Sequence, residues 1–193
     1  MRTTVDAFKW PQLLILITVL LRVLCSPEAF AQEHVFRSKL VTIRYNDHQL
    51  LEEFEKKIRP GSFSRAMNSI FLGEKLVPKD ASLGELLDAL FKRVQQILDM
   101  PLPSLRVQIQ LLKDKKDVSW TWASITGKPT KALAFYWQKT NTIYLQPQEL
   151  STGILAHEMA HAIIDHYFVI RPPPKIAEML CQYVDKEISS QPF

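Results

Sequence analysis

The chain has 193 residues, 47% of them hydrophobic, and 24 lysines and arginines against 20 acidic residues give a formal net charge of +4. That excess is mild and its charges are mixed rather than blocked, which argues against nucleic acid as a partner. No internal repeat or low-complexity tract interrupts the chain, which reads as alternating strands and helices.

Residues 1–31 read as a signal peptide. Arg2 and Lys9 give a weakly positive start, Leu13 to Leu21 is apolar apart from Thr18, and Ala29-Phe30-Ala31 offers the small residues a signal peptidase reads. Pro11 and Arg22 bound the apolar run far short of the roughly 20 residues of a bilayer span, so no stable membrane anchor is expected after cleavage. The expectation is an exported protein, periplasmic or extracellular, starting near Gln32. About 160 residues then remain, enough for one domain with a sizeable core and too few for two. Of the two cysteines, Cys25 leaves with the leader and Cys181 stays, so the mature chain holds no internal disulfide.

The β-branched stretch Ser38 to Tyr45 predicts a strand. Asn46 or Asp47 then caps a helix to Ile58, with Leu50, Leu51, Phe54 and Ile58 at helical spacing. Ser62 to Asp80 is expected to be irregular, with a short strand near Ile70 to Leu72. Ser82 caps the strongest helix, whose apolar stripe runs through Leu83, Leu86, Leu87, Leu90, Phe91, Val94 and Ile97 up to Pro101. Leu105 to Leu111 alternates strictly and is a strand. Ser119 to Trp122 fits either a strand or a helix start. Lys131 to Trp137 and Thr142 to Leu145 form a hairpin. A helix capped by Ser151 runs to about Phe168, and after Arg171-Pro172-Pro173-Pro174 a last helix covers Lys175 to about Ile188.

His157-Glu158-Met159-Ala160-His161 is an HExxH run on the first of these two helices. Residues four apart share a helix face, so both imidazoles can reach one ion, and Glu158 is set to hold a water rather than the metal. Flanked by Ile154, Leu155, Ala160, Ala162 and Ile163, two unpaired imidazoles would be costly to bury, which favours a metal partner. A zinc hydrolase site needs three protein ligands and an open position. Asp165 and His166 lie at least a turn too far along the same helix. The metzincin pattern would need a histidine and a glycine where Tyr167 and Ile164 stand, and the deformylase pattern an upstream cysteine. Glu178 remains the best candidate for third ligand; Cys181, one turn from it, is placed to approach the metal, but a small buried hydrophobe is the plainer reading.

From Ala132 to Ile188 the chain also resembles the gluzincins, HExxH…E zinc metallopeptidases of the zincin superfamily, as a small secreted bacterial-type member. The resemblance rests on HExxH, the connecting segment, Glu178 on the following helix, and Asn141-Thr142-Ile143-Tyr144-Leu145, which is similar to the substrate-side edge strand. It implies Zn2+ held by His157, His161 and Glu178, Glu158 as catalytic base, and a peptide or protein substrate along Thr142, Ile143, Tyr144 and Leu145. Where many gluzincins carry an aspartate that orients the first histidine, Gln182 stands here, and its amide oxygen or Asp185 is the candidate for that task. His166, Tyr167 and Tyr183 are candidate oxyanion donors. Trp120, Trp122, Phe135, Tyr136 and Trp137 fit a substrate groove, although packing is the plainer reading.

The expected fold is α+β: a single zincin-like domain over residues 32–193. Residues 32–130 supply sheet and backing helix; 131–193 supply an edge hairpin, the HExxH helix and the third-ligand helix, with a twisted, mostly antiparallel-edged sheet. Two other functions stay open: a secreted binding module with structural zinc, and a metal hydrolase acting on a non-peptide or cell-wall substrate.

Overall fold

A turn fastened to a helix starts the fold. In the computed structural model, which describes residues 33–59 and 81–190, strand β1 (His34–Arg37) returns antiparallel as β2 (Val41–Tyr45). Between them the Asp88 carboxylate accepts hydrogen bonds from the Ser38 hydroxyl at 2.7 Å and from the Lys39 and Leu40 N–H groups at 3.1 and 2.9 Å. One strand over 38–45 was expected. The hairpin replaces it because Ser38 caps the turn by accepting from Val41 N–H. The signal peptide at 1–31 and the short strand near Ile70 to Leu72 lie outside the described residues.

Helix α1 (His48–Ile58) is capped by Asp47 and buries Leu50, Phe54 and Ile58, one residue per turn. Helix α2 (Leu83–Leu98) begins with a capping box in which Ser82 and Glu85 satisfy each other's backbone N–H. It buries Leu83, Leu86, Leu87, Leu90, Phe91 and Val94. Asp99, with φ of 52°, ends it in the left-handed conformation. Strand β3 (Val107–Leu111) keeps its alternation, with Val107, Ile109 and Leu111 inside. The ambiguous stretch around Trp120 is helix α3 (Lys115–Thr126), capped by Asp114 and stopped by Gly127 at φ 78°. Val118 is its one fully buried residue, so it carries no clear apolar stripe. Strand β4 (Ala134–Trp137) and strand β5 (Thr142–Leu145) follow, joined by a short 3-10 turn. Helix α4 (Thr152–Tyr167) starts at the Ser151 cap, and α5 (Pro174–Ser189) has a proline in its first turn.

The five strands among the described residues form one mixed sheet in the order β1-β2-β3-β5-β4, so the fold is α+β. The outer pairs are antiparallel and the inner pairs, β2 with β3 and β3 with β5, are parallel. One expectation is corrected here. Thr142 to Leu145 is not an edge: β5 pairs with β3 on one side and β4 on the other, which leaves β4, like β1, an outer strand among the described residues. Thr142, Ile143 and Leu145 are accordingly buried, and Tyr144 stacks on Phe135 at 4.9 Å.

Helix α2 packs against α4, α4 packs along α5 and against β4, and Ile43, Ile109, Ile143, Leu145 and Leu155 are fully enclosed. Each such side chain contributes about 1.5–3 kcal/mol of burial. Glu33–Phe193 makes one compact unit. Among the described residues no helix is long and apolar enough to cross a membrane.

Candidate metal centre

Helix α4 is enclosed on nearly every side, with Leu155, Ala156, Met159, Ala160, Ala162 and Ile163 buried. Polar groups in such a helix need partners. His157 and His161, one turn apart, present rings 5.0 Å from each other and tilted by 70°. Helix α5 supplies Glu178 opposite them. One carboxylate oxygen lies 3.7 Å from His157 Nε2 and the other 3.5 Å from His161 Nε2.

These separations sit at or beyond the limit of a hydrogen bond. They suit donors arranged around an ion: ligand distances of 2.0–2.2 Å place tetrahedral neighbours about 3.4 Å apart. Two imidazoles and a carboxylate are also the donor set that zinc accepts. Burial, reinforced by the neighbouring His157, pulls the His161 pKa down to about 4, so that imidazole is neutral at pH 7, the state that ligates.

The crossing of α5 over α4 depends on two local features. Pro172 to Pro174 break the chain and Pro174 opens α5. Gly153 then admits α5 closely, because a Cβ at that position would overlap Asp185 and Ser189. Asp185 therefore packs beside Gly153 and takes a hydrogen bond from Ser189 at 2.9 Å. It does not orient an imidazole. Gln182 also differs from expectation: its amide nitrogen donates to Glu178 Oε1 at 3.0 Å, so it holds the carboxylate rather than a histidine.

Cys181, one turn beyond Glu178, is fully buried as expected. Its sulfur and a nitrogen from each of His157 and His161 also lie within 4.8 Å of one another. Burial and the carboxylates of Glu158 and Glu178 push its thiol well up, which favours the protonated form. Glu178, with carboxylate oxygens 3.7 and 3.5 Å from the two imidazoles, and Cys181 are therefore both within reach of the histidine pair.

Glu158 is only 8% exposed. Burial drives its pKa up to about 8 against the opposing hydrogen bond from the Tyr136 backbone N–H, and the nearby Glu178 raises it further. A Tyr136 N–H aimed at Glu158 is one the sheet does not use, so the outer edge of β4 faces this carboxylate.

His157, Glu158, His161 and Glu178 open onto a cavity of about 430 Å³ walled by β4, α3 and the segment joining α4 to α5. Trp122, Phe135, Tyr136 and Trp137 line it, and Trp122 packs edge-on against Phe135 at 4.9 Å. The aromatic residues thus both pack and form the wall. Trp120 is 78% exposed and takes no part.

None of the expected oxyanion donors lines the cavity. The His166 ring lies 2.8 Å from the Ala162 carbonyl, and Tyr167 and Tyr183 are exposed on the outside. Arg171, ion-paired with Asp165, lines it instead. In sequence Arg171 reads only as part of a proline-rich break. Asp165, four residues past His161, does fall on the imidazole face of the helix, the one signal that pointed there.

Comparison of the chain with protein-family models, curated proteins and solved structures gives no match, so the chemistry of the site carries the functional reading.

Proposed function

We propose that the protein is an exported, zinc-dependent metallopeptidase with a zincin-like fold, its metal held by His157, His161 and Glu178. The observation that carries this reading is Glu158: a buried carboxylate beside two convergent imidazoles, open to a cavity and facing an outer strand edge. A structural zinc needs neither a base nor a cavity.

When bound, zinc supplies Lewis acidity that polarises a carbonyl and lowers the pKa of a water towards about 7. The residues of the chain do the rest. Glu158 takes the water's proton and passes it to the leaving amine; burial raises its proton affinity, and the charge of a bound zinc would bring it back down. The Tyr136 N–H fixes the carboxylate's position. Gln182 steadies Glu178. The peptide lies extended along β4, pairing with its outer edge, while Trp122, Phe135 and Trp137 take apolar side chains.

Zinc content and cleavage of a peptide library by the purified protein test the proposal together. One zinc per chain with cleavage is the expected result. Background activity with one tightly bound zinc would leave a binding module or a hydrolase of non-peptide substrates. A stably folded protein that takes up no metal would remove every metal-based reading. Glu178→Ala is expected to weaken zinc binding strongly, and unchanged affinity would move the third ligand to Cys181.

A further inference from the structure

We infer that Arg171 reads a carboxylate on the substrate, so that this cavity selects anionic peptides; the inference rests on the peptidase reading for what the bound molecule is. Among the described residues, Arg171 is the only lysine or arginine that lines the cavity. Its Nη2 pairs with Asp165 Oδ1, the one ion pair found for it among those residues. The anchor is buried and the arginine is not: the Asp165 side chain is 15% exposed and that of Arg171 48%. Asp165 sits one turn past His161 on α4, so a rigid element aims the guanidinium into the cavity that holds the metal ligands.

A guanidinium carries five N–H donors in a planar fork. Asp165 engages one side, and the remaining donors are those a second carboxylate takes in bidentate fashion. The setting favours that use. Trp122, Phe135 and Trp137 make a low-dielectric wall in which a charge-assisted bond gains strength. The other acidic side chains at the cavity, Glu178 and Asp165, offer an anionic peptide no donor, so its carboxylate depends on Arg171. Arg171 therefore decides whether the substrate can be acidic.

Two sources present the same chemistry: an Asp or Glu side chain beside the scissile bond, or a free C-terminal carboxylate. Binding to the full-chain, zinc-loaded Glu158→Gln protein, read by the fluorescence of Trp122 and Trp137, separates recognition from turnover. Capped short-peptide libraries with Asp or Glu at each position are compared with their Asn and Gln counterparts, and free C-termini with amidated ones. The expected result is that one acidic series binds at least about tenfold tighter than its neutral partner, a typical gain for a hydrogen bond to a charged group. Adding Arg171→Gln abolishes that preference while neutral peptides keep their affinity, and Arg171→Lys restores part of it. A preference that survives Arg171→Gln, or no preference in the parent, overturns the inference. Equal loss for acidic and neutral peptides also overturns it, showing the Arg171–Asp165 pair to be a clamp on the connecting segment. If the preference is found but the wild type cleaves no peptide, the peptidase reading falls and the carboxylate site stands.

Discussion

Helices α2 and α4 are each 16 residues long, and each starts at a serine whose hydroxyl accepts a backbone N–H, Ser82 from Glu85 and Ser151 from Ile154. They are buried in opposite ways. Helix α2 shows one apolar stripe to the core and leaves Glu85, Lys92 and Gln96 in water. No residue of α4 before His166 is exposed, and its polar side chains meet Glu178, Arg171 and one another at the cavity. In α2 polarity marks the surface; in α4 it marks the site.

Substitutions at the two helices should then separate chemistry from stability. On the proposed peptidase function Glu158→Gln removes the base, and kcat should fall by about 10²–10⁴-fold with zinc content unchanged. The same change should alter the pH dependence of the metal-free protein. Burial raises Glu158 from 4.5 to about 8, so the stability associated with its protonated form is complete below 4.5 and lost as pH rises through about 8. His161 is depressed from 6.5 to about 4, so its contribution is complete above 6.5 and lost as pH falls through about 4. Between pH 6.5 and 8 only Glu158 acts, and thermal melts of the metal-free wild type should fall across that window. Glu158→Gln should flatten the decline. A functional group is thus expected to cost stability where it sits.

Leu90→Ala in α2 is the converse case. It should cost about 2–5 kcal/mol in denaturant unfolding and leave zinc affinity and kcat of the folded fraction unchanged. Gln182→Ala, which strips a hydrogen bond from Glu178, should weaken zinc about tenfold in chelator competition without a comparable change in stability. Ser82→Ala is the smallest effect, about 1 kcal/mol from loss of the α2 cap, with no functional consequence.

The same contrast governs what could be read from the residues. The apolar stripe of α2, the alternation of β3, the HExxH spacing and the proline-led start of α5 are local patterns, and each reappears in place. Helix α3 stayed ambiguous because only Val118 is fully buried, so its periodicity is faint beside the Asp114 and Gly127 caps. Strand β1 was hidden by the expected cleavage site just before it. The identity of the edge strand depends on β5 pairing with β3, a long-range choice that no local pattern encodes. The position of Glu178 opposite the two histidines follows from a helix break at usable spacing, which is a local pattern. Arg171 was not legible, since only the fold returns the connecting segment to Asp165 and the cavity.

Hydrolysis of a peptide library by wild type and Glu158→Gln at matched zinc content tests the assignment of α4 most directly. One zinc in each protein, with cleavage by the wild type and at least a hundredfold loss in the variant, is the predicted result. Equal activity in the two proteins, or a zinc-loaded wild type that cuts nothing, would contradict it.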